Sequence, residues 1–162
     1  MDWLGTLFLY LHVGGAIAAF GPTIAFPFIG AKAAQEPMHG NFALRVSDFI
    51  NSRIVEPGAI FVFLTGVGLI GARGLSPLEH LWLAVAIILF LITFAYSKLV
   101  QVQTVRKMIA MTSQPPPPPA PGEAPAGPPL EFVALSTKAQ RGGIFLTANM
   151  FLILALMIVK PF

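Results

Sequence analysis

Between Trp3 and Ile29 the chain carries a single side chain that can be charged near neutral pH, His12. A hydrocarbon layer takes roughly 20 consecutive apolar residues in helical form to cross it, and this stretch exceeds that length. Three more stretches share its character. The expected spans lie at about 3–29, 57–72, 80–101 and 143–159. The second and fourth are short, which puts Val55 and Pro161 at the interface. Composition agrees, since 56% of residues are hydrophobic and 10% charged, whereas soluble domains are about 25% charged. The sequence predicts one all-α domain, a four-helix transmembrane bundle with lipid as its main solvent. Ala16-Ile17-Ala18 has the form of a signal-peptide cleavage site. No Lys or Arg precedes the apolar run, however, and the run continues past that site, so the first stretch reads as an uncleaved span.

Orientation follows from the basic residues of the connections. Lys32, Arg45 and Arg53 lie in the first connection, and Lys98, Arg106, Lys107, Lys138 and Arg141 in the third. Only Arg73 and Lys160 fall on the other side. Connections one and three are therefore expected in the cytoplasm and both termini outside. Trp3 and Trp82 then sit together at the outer interface, where indoles concentrate. The net charge of +3 is small and scattered, which gives no nucleic-acid footprint. The chain has no cysteine, so disulfides, thiolate metal sites and thiol catalysis are excluded.

The connections have structure of their own. In 41–55, Phe42, Val46, Phe49, Ile50 and Ile54 recur at helical spacing with Arg45, Asp48 and Ser52 between them. This is an amphipathic helix, expected to lie along the cytoplasmic interface and to turn into the second span at Pro57-Gly58. It reads as a surface connector, or as a lid or docking surface. The third helix continues past the membrane to about Met111. Residues 114–129, with Pro115 to Pro119 at their core, end that helix and form a semi-rigid proline-rich linker, a spacer rather than a ligand for an SH3-like partner. The chain becomes helical again from Leu130. No internal repeat is evident.

Gly14, Gly15, Ala18 and Ala19 on the first span, and Gly66, Gly68 and Gly71 on the second, are small residues of the kind that let membrane helices approach closely. They serve packing within the bundle or a homodimer. Pro22 and Pro27 kink the cytoplasmic half of the first span and free carbonyls near Ala18 and Thr23. His12 shares a helical face with Gly15, Ala16, Ala19 and Thr23, so it points into the bundle. Three roles are open to it: a hydrogen bond to a neighbouring helix (Thr65, Ser97 or Asn149), ligation of haem or a metal, or proton relay. His80 lies about 10 Å or more higher in depth, from a rise of 1.5 Å per residue, and His39 lies in the cytoplasmic connection. A bis-histidine haem is thus disfavoured. Five-coordinate ligation, or a second ligand from Met150 or Tyr96, stays open. No pair of residues has metal-ligand spacing. The spans contain no acid, which argues against a carboxylate-driven transporter, and Glu79-His80 reads as the interfacial first turn of the third helix, started by Ser76 and Pro77.

Trp3-Leu4 and Leu11-His12-Val13-Gly14-Gly15-Ala16 resemble the first span of a bacterial membrane family known as domain of unknown function 2269. Arg45, Asp48, Val55-Glu56-Pro57-Gly58 and Leu64-Thr65-Gly66 are similar to its amphipathic helix and second span. Met157-Ile158-Val159-Lys160-Pro161 resembles its C-terminal Met-x-x-Lys-Pro. That family is similar in turn to a four-helix group that includes the copper-resistance D membrane domain and the membrane-type protoporphyrinogen oxidase. In that group a first-span histidine, matching His12, is associated with haem or metal. The resemblance implies a bacterial inner-membrane protein with haem at His12 as the candidate cofactor site. It also allows a redox component of the haem-pathway type, or an accessory subunit of a larger membrane complex. Oxidase activity is not carried over, because Glu79-His80-Leu81-Trp82 offers no lysine to match that group at the start of the third span.

Overall fold

The structure is a computed structural model that describes residues 2–113 and 127–161. The expected linker at 114–129 falls almost wholly outside the described residues. Most of those described are helical, with no strand among them. Four helical rods are long and apolar enough to cross a membrane: Trp3–Gln35, Pro37–Arg73, Leu81–Thr112 and Leu130–Val159.

The first rod is α1 (Trp3–Phe20), a 3-10 turn (Gly21–Ala25) and α2 (Phe26–Gln35). Asp2 caps α1 by accepting from the Gly5 N–H at 2.8 Å, which satisfies one of the donors a helix start leaves open. The tightened turn falls where Pro22 removes a donor, and the Thr23 hydroxyl bonds the Phe20 carbonyl at 2.6 Å. The second rod is α3 (Gly40–Ile50), a π-helical turn (Asn51–Val55) and α4 (Glu56–Arg73). The turn expected at Pro57-Gly58 is absent, and the amphipathic segment runs straight into the second span. The physical reason lies in the π-helical turn just before Pro57. It shifts the hydrogen-bond register by one residue, and the proline then occupies the first turn of α4, where its ring and missing N–H are tolerated. Gly74, at φ 61°, ends α4, and the Leu75 N–H closes on the Ile70 carbonyl at 3.0 Å, a helix-stop geometry open to glycine at little cost.

The third rod is α5 (Leu81–Tyr96), a second π-helical turn (Ser97–Gln101) and α6 (Val102–Thr112). It starts at Leu81, because Ser76 opens a separate turn whose carbonyl accepts the His80 N–H at 3.0 Å. The fourth rod is α7 (Leu130–Val159), which is 30 residues long and so extends well before the expected span.

Two intimate helix pairs make up the membrane part. Along α1, Phe8, His12, Gly15 and Ala19 recur at spacings of four, three and four, and this face meets α4. A methyl group added at Gly15 would lie 2.8 Å from the Phe61 ring, and one added at Gly58 would lie 2.5 Å from Ala19 Cβ. Backbones approach this closely only where side chains are missing. On the other side, Trp82, Leu83 and Ala86 of α5 and Leu156 of α7 form a buried cluster, and Tyr96 packs on Phe145 at 4.8 Å. Phe63 of α4 stacks on Phe90 of α5 at 5.7 Å, and Ile70 and Leu75 reach the Trp82 cluster. The pairs are thus joined through large side chains instead of backbone contact.

Beyond the spans, α3 and α6 pair through a polar ladder. Lys98 bonds Glu56 at 2.7 Å. Two turns further, Arg106 meets Asp48 at 3.4 Å. At the far end the Asn41 amide donates to the Ile109 carbonyl at 3.1 Å and to the Thr112 hydroxyl at 2.9 Å. The two π-helical turns lie at the same level, beside the Glu56–Lys98 rung.

Candidate functional site at His12

The α1 face that carries Phe8, Gly15 and Ala19 also places His12 against α4. Its Nδ1 lies 2.9 Å from the Val62 carbonyl oxygen. A carbonyl only accepts, so Nδ1 carries the hydrogen and donates it. The Thr65 hydroxyl lies 3.5 Å from the same nitrogen, but its own bonds go to the carbonyls of Phe61 and Val62 at 2.9 and 3.0 Å. Val62 therefore accepts from both the imidazole and the hydroxyl. With Nδ1 protonated in a neutral ring, the lone pair of His12 resides on Nε2. Gly66 makes the space: a methyl there would sit 3.1 Å from His12 Cε1 and 3.3 Å from Nδ1. The ring is half-buried, while Val62 and Thr65 are buried.

The other residues singled out from the sequence lie elsewhere. His80 bonds its own turn through Nδ1 and the Ser76 carbonyl at 3.1 Å and meets Trp82 edge-on. His39 sits in a 3-10 turn between α2 and α3, at the opposite end of the rods. Tyr96 faces α7 through Phe145. Met150 is on α7, the helix that pairs with α5, and Asn149 bonds the Phe145 carbonyl of its own helix at 3.0 Å. Of the three neighbouring-helix partners considered for His12, Thr65 is the one the structure brings to it. Among the described residues no group of three or more His, Cys, Asp or Glu could hold a metal ion. One imidazole nitrogen of fixed tautomer could serve a cofactor that brings its own remaining ligands. It does not suit a bare ion that needs a protein cage.

Sequence reasoning missed two polar features. One is the ladder in which Asn41, Asp48 and Glu56, seven and eight residues apart, meet Thr112, Arg106 and Lys98. The other is Gln101, whose amide donates to the Ala139 carbonyl at 3.0 Å and whose Oε1 is buried without a partner against Gly142. Gly142 stands out only because a side chain there would collide with Gln101 and Tyr96.

Large apolar side chains cover the outside of the rods: Ile17 is 70% exposed, Leu64 61% and Ile158 71%. Water would not tolerate so continuous an apolar surface, and the rods are helical, the form in which a single segment can cross a bilayer. The fold is that of a polytopic helical membrane protein. More particularly, the chain belongs to the family described as predicted integral membrane protein (DUF2269), which matches it over residues 6–161. No curated protein and no solved structure matches the chain.

Proposed function

We propose that this protein carries haem on His12 in the bacterial inner membrane, with both termini outside. The observation that carries the reading is the His12–Val62 hydrogen bond. It commits Nδ1 to a backbone carbonyl, orients the ring, and leaves Nε2 as the basic nitrogen. Axial histidines are held in this way, by a second-shell acceptor on the other ring nitrogen. The resemblance of the family to the copper-resistance D and protoporphyrinogen oxidase group, read from the sequence, points the same way. Haem bound there would supply one-electron transfer or binding of a small ligand. His12 would hold it through Nε2, in the tautomer that the Val62 carbonyl fixes. The orientation is supported by Lys32, Arg45, Arg53, Lys98, Arg106, Lys107, Lys138 and Arg141, which all belong to one end of the rods.

The test is the absorption spectrum of the protein purified in mild detergent after expression with haem supplied. A Soret band that shifts on reduction and is lost in His12→Ala is the expected result. A colourless protein that is folded by circular dichroism refutes the reading, and so does a Soret band that survives His12→Ala.

A further inference from the structure

A groove of about 450 Å³ runs along the flank of the α1–α4 seam. Gly14, Gly15 and Ala18 form its floor, and Ile54, Pro57 and Phe61 its wall. Arg53, on the π-helical turn, stands at its end. Among the described residues no carboxylate lies within ion-pair distance of Arg53. The acid one turn on, Glu56, is taken by Lys98 at 2.7 Å and by the Asn51 amide at 3.3 Å. Arg53 thus brings an uncompensated positive charge to the mouth of an apolar channel, on the side where the other cations gather. A cation beside an apolar trough matches the phosphate and the acyl chain of a lipid.

We propose that this groove is a site for an anionic glycerophospholipid, its phosphate on Arg53 and an acyl chain along Gly14, Gly15 and Ala18. Basic pockets between membrane helices on the positively charged side take such headgroups. Guanidinium suits phosphate because it pairs with two oxygens at once. A purely electrostatic surface would instead treat every exposed cation alike, and the groove is what distinguishes Arg53. This inference does not depend on haem at His12.

The test is native mass spectrometry of the full chain, with phosphatidylglycerol or phosphatidylcholine of matched chains added in detergent. Phosphatidylglycerol is expected to bind preferentially and with one-to-one stoichiometry. Arg53→Gln should weaken it about fivefold, the share of one basic residue near a headgroup, whereas Lys107→Gln, with the same charge change, should leave it unaltered. Gly14→Leu should block binding with the charge intact. A methyl at Gly14 meets no protein atom within 4 Å, so the added side chain starts in open space, and circular dichroism of the variant checks that it is folded. Equal weakening by Arg53→Gln and Lys107→Gln overturns the site. So does displacement by glycerol phosphate at concentrations matching the lipid, which would mean a headgroup site without a chain. So does a change of oligomeric state in Gly14→Leu with lipid binding unchanged, which would give the groove to a second copy.

Discussion

The contact of Gly58 with Ala19 sets how close α1 and α4 come, and one substitution probes it. Gly58→Ala places a methyl carbon 2.5 Å from Ala19 Cβ and 3.1 Å from Ala19 Cα. Carbon atoms rest at about 3.5–4.0 Å, so the seam must open by roughly 1 Å. Neither neighbour can rotate away, since one is a methyl and the other is backbone. Overpacking of this kind costs about 1–3 kcal/mol. Gly71→Ala is the control: it lies on the same helix with nothing within 4 Å of the added methyl. Both variants gain the same helix propensity, about 1 kcal/mol, so the difference between them isolates the packing cost. Unfolding by sodium dodecyl sulfate from mild detergent, followed by circular dichroism, should give a lower midpoint for Gly58→Ala than for Gly71→Ala. Val62 is one turn from Gly58, so the opening should also stretch the 2.9 Å His12–Val62 bond beyond the usual range of about 2.7–3.2 Å. The imidazole Nδ1–H resonance of labelled protein would report that. Equal midpoints for the two variants would refute the claim that glycine at 58 sets the seam.

Asn41→Ala, which removes two hydrogen bonds between α3 and α6, should cost about 1–2 kcal/mol in the same titration. Arg106→Ala should cost less than about 1 kcal/mol, because the arginine side chain of that pair is 54% exposed and exposed pairs contribute little. Gly142→Ala should loosen α5 from α7, since the methyl would collide with Gln101 and press on Tyr96 at 3.0 Å. Tyrosine and Trp82 fluorescence should change with it, and an unaltered midpoint would speak against the packing read at that seam. Thr65→Val should cost under about 1 kcal/mol, because its hydroxyl bonds only carbonyls of its own helix at 3.5 Å or less apart from His12, and His12 keeps Val62. Loss of the Nδ1–H signal in Thr65→Val would make the hydroxyl the true partner.

Much of the site was legible. The small residues beside His12 already put it on an inward face, and Thr65 was among its expected partners. Choosing Val62 was not possible from the sequence, because a backbone carbonyl carries no residue signature and becomes an acceptor only when the facing helix has a register. The Glu56–Lys98 and Asp48–Arg106 rungs were hidden for the same reason, since their members lie 42 and 58 residues apart. Pro57 misled for a different reason. Proline reads as a break, and nothing in the local residue pattern marks the π-helical turn (Asn51–Val55) that precedes it.

Crossing a membrane is a matter of length and composition, and both are local. The four apolar stretches, the placement of cations in the connections and the isolation of His12 therefore determined the class of protein and its helical build without any knowledge of packing. Packing decided the rest. Which helices touch, how near they come at Gly58 and Gly66, and which nitrogen of His12 is left with a lone pair all follow from van der Waals contacts between segments distant in sequence. In lipid the apolar surface is equally comfortable against a helix or an acyl chain. Hydrophobicity thus says where the helices are, and only the fit of small residues against large ones says how they pair.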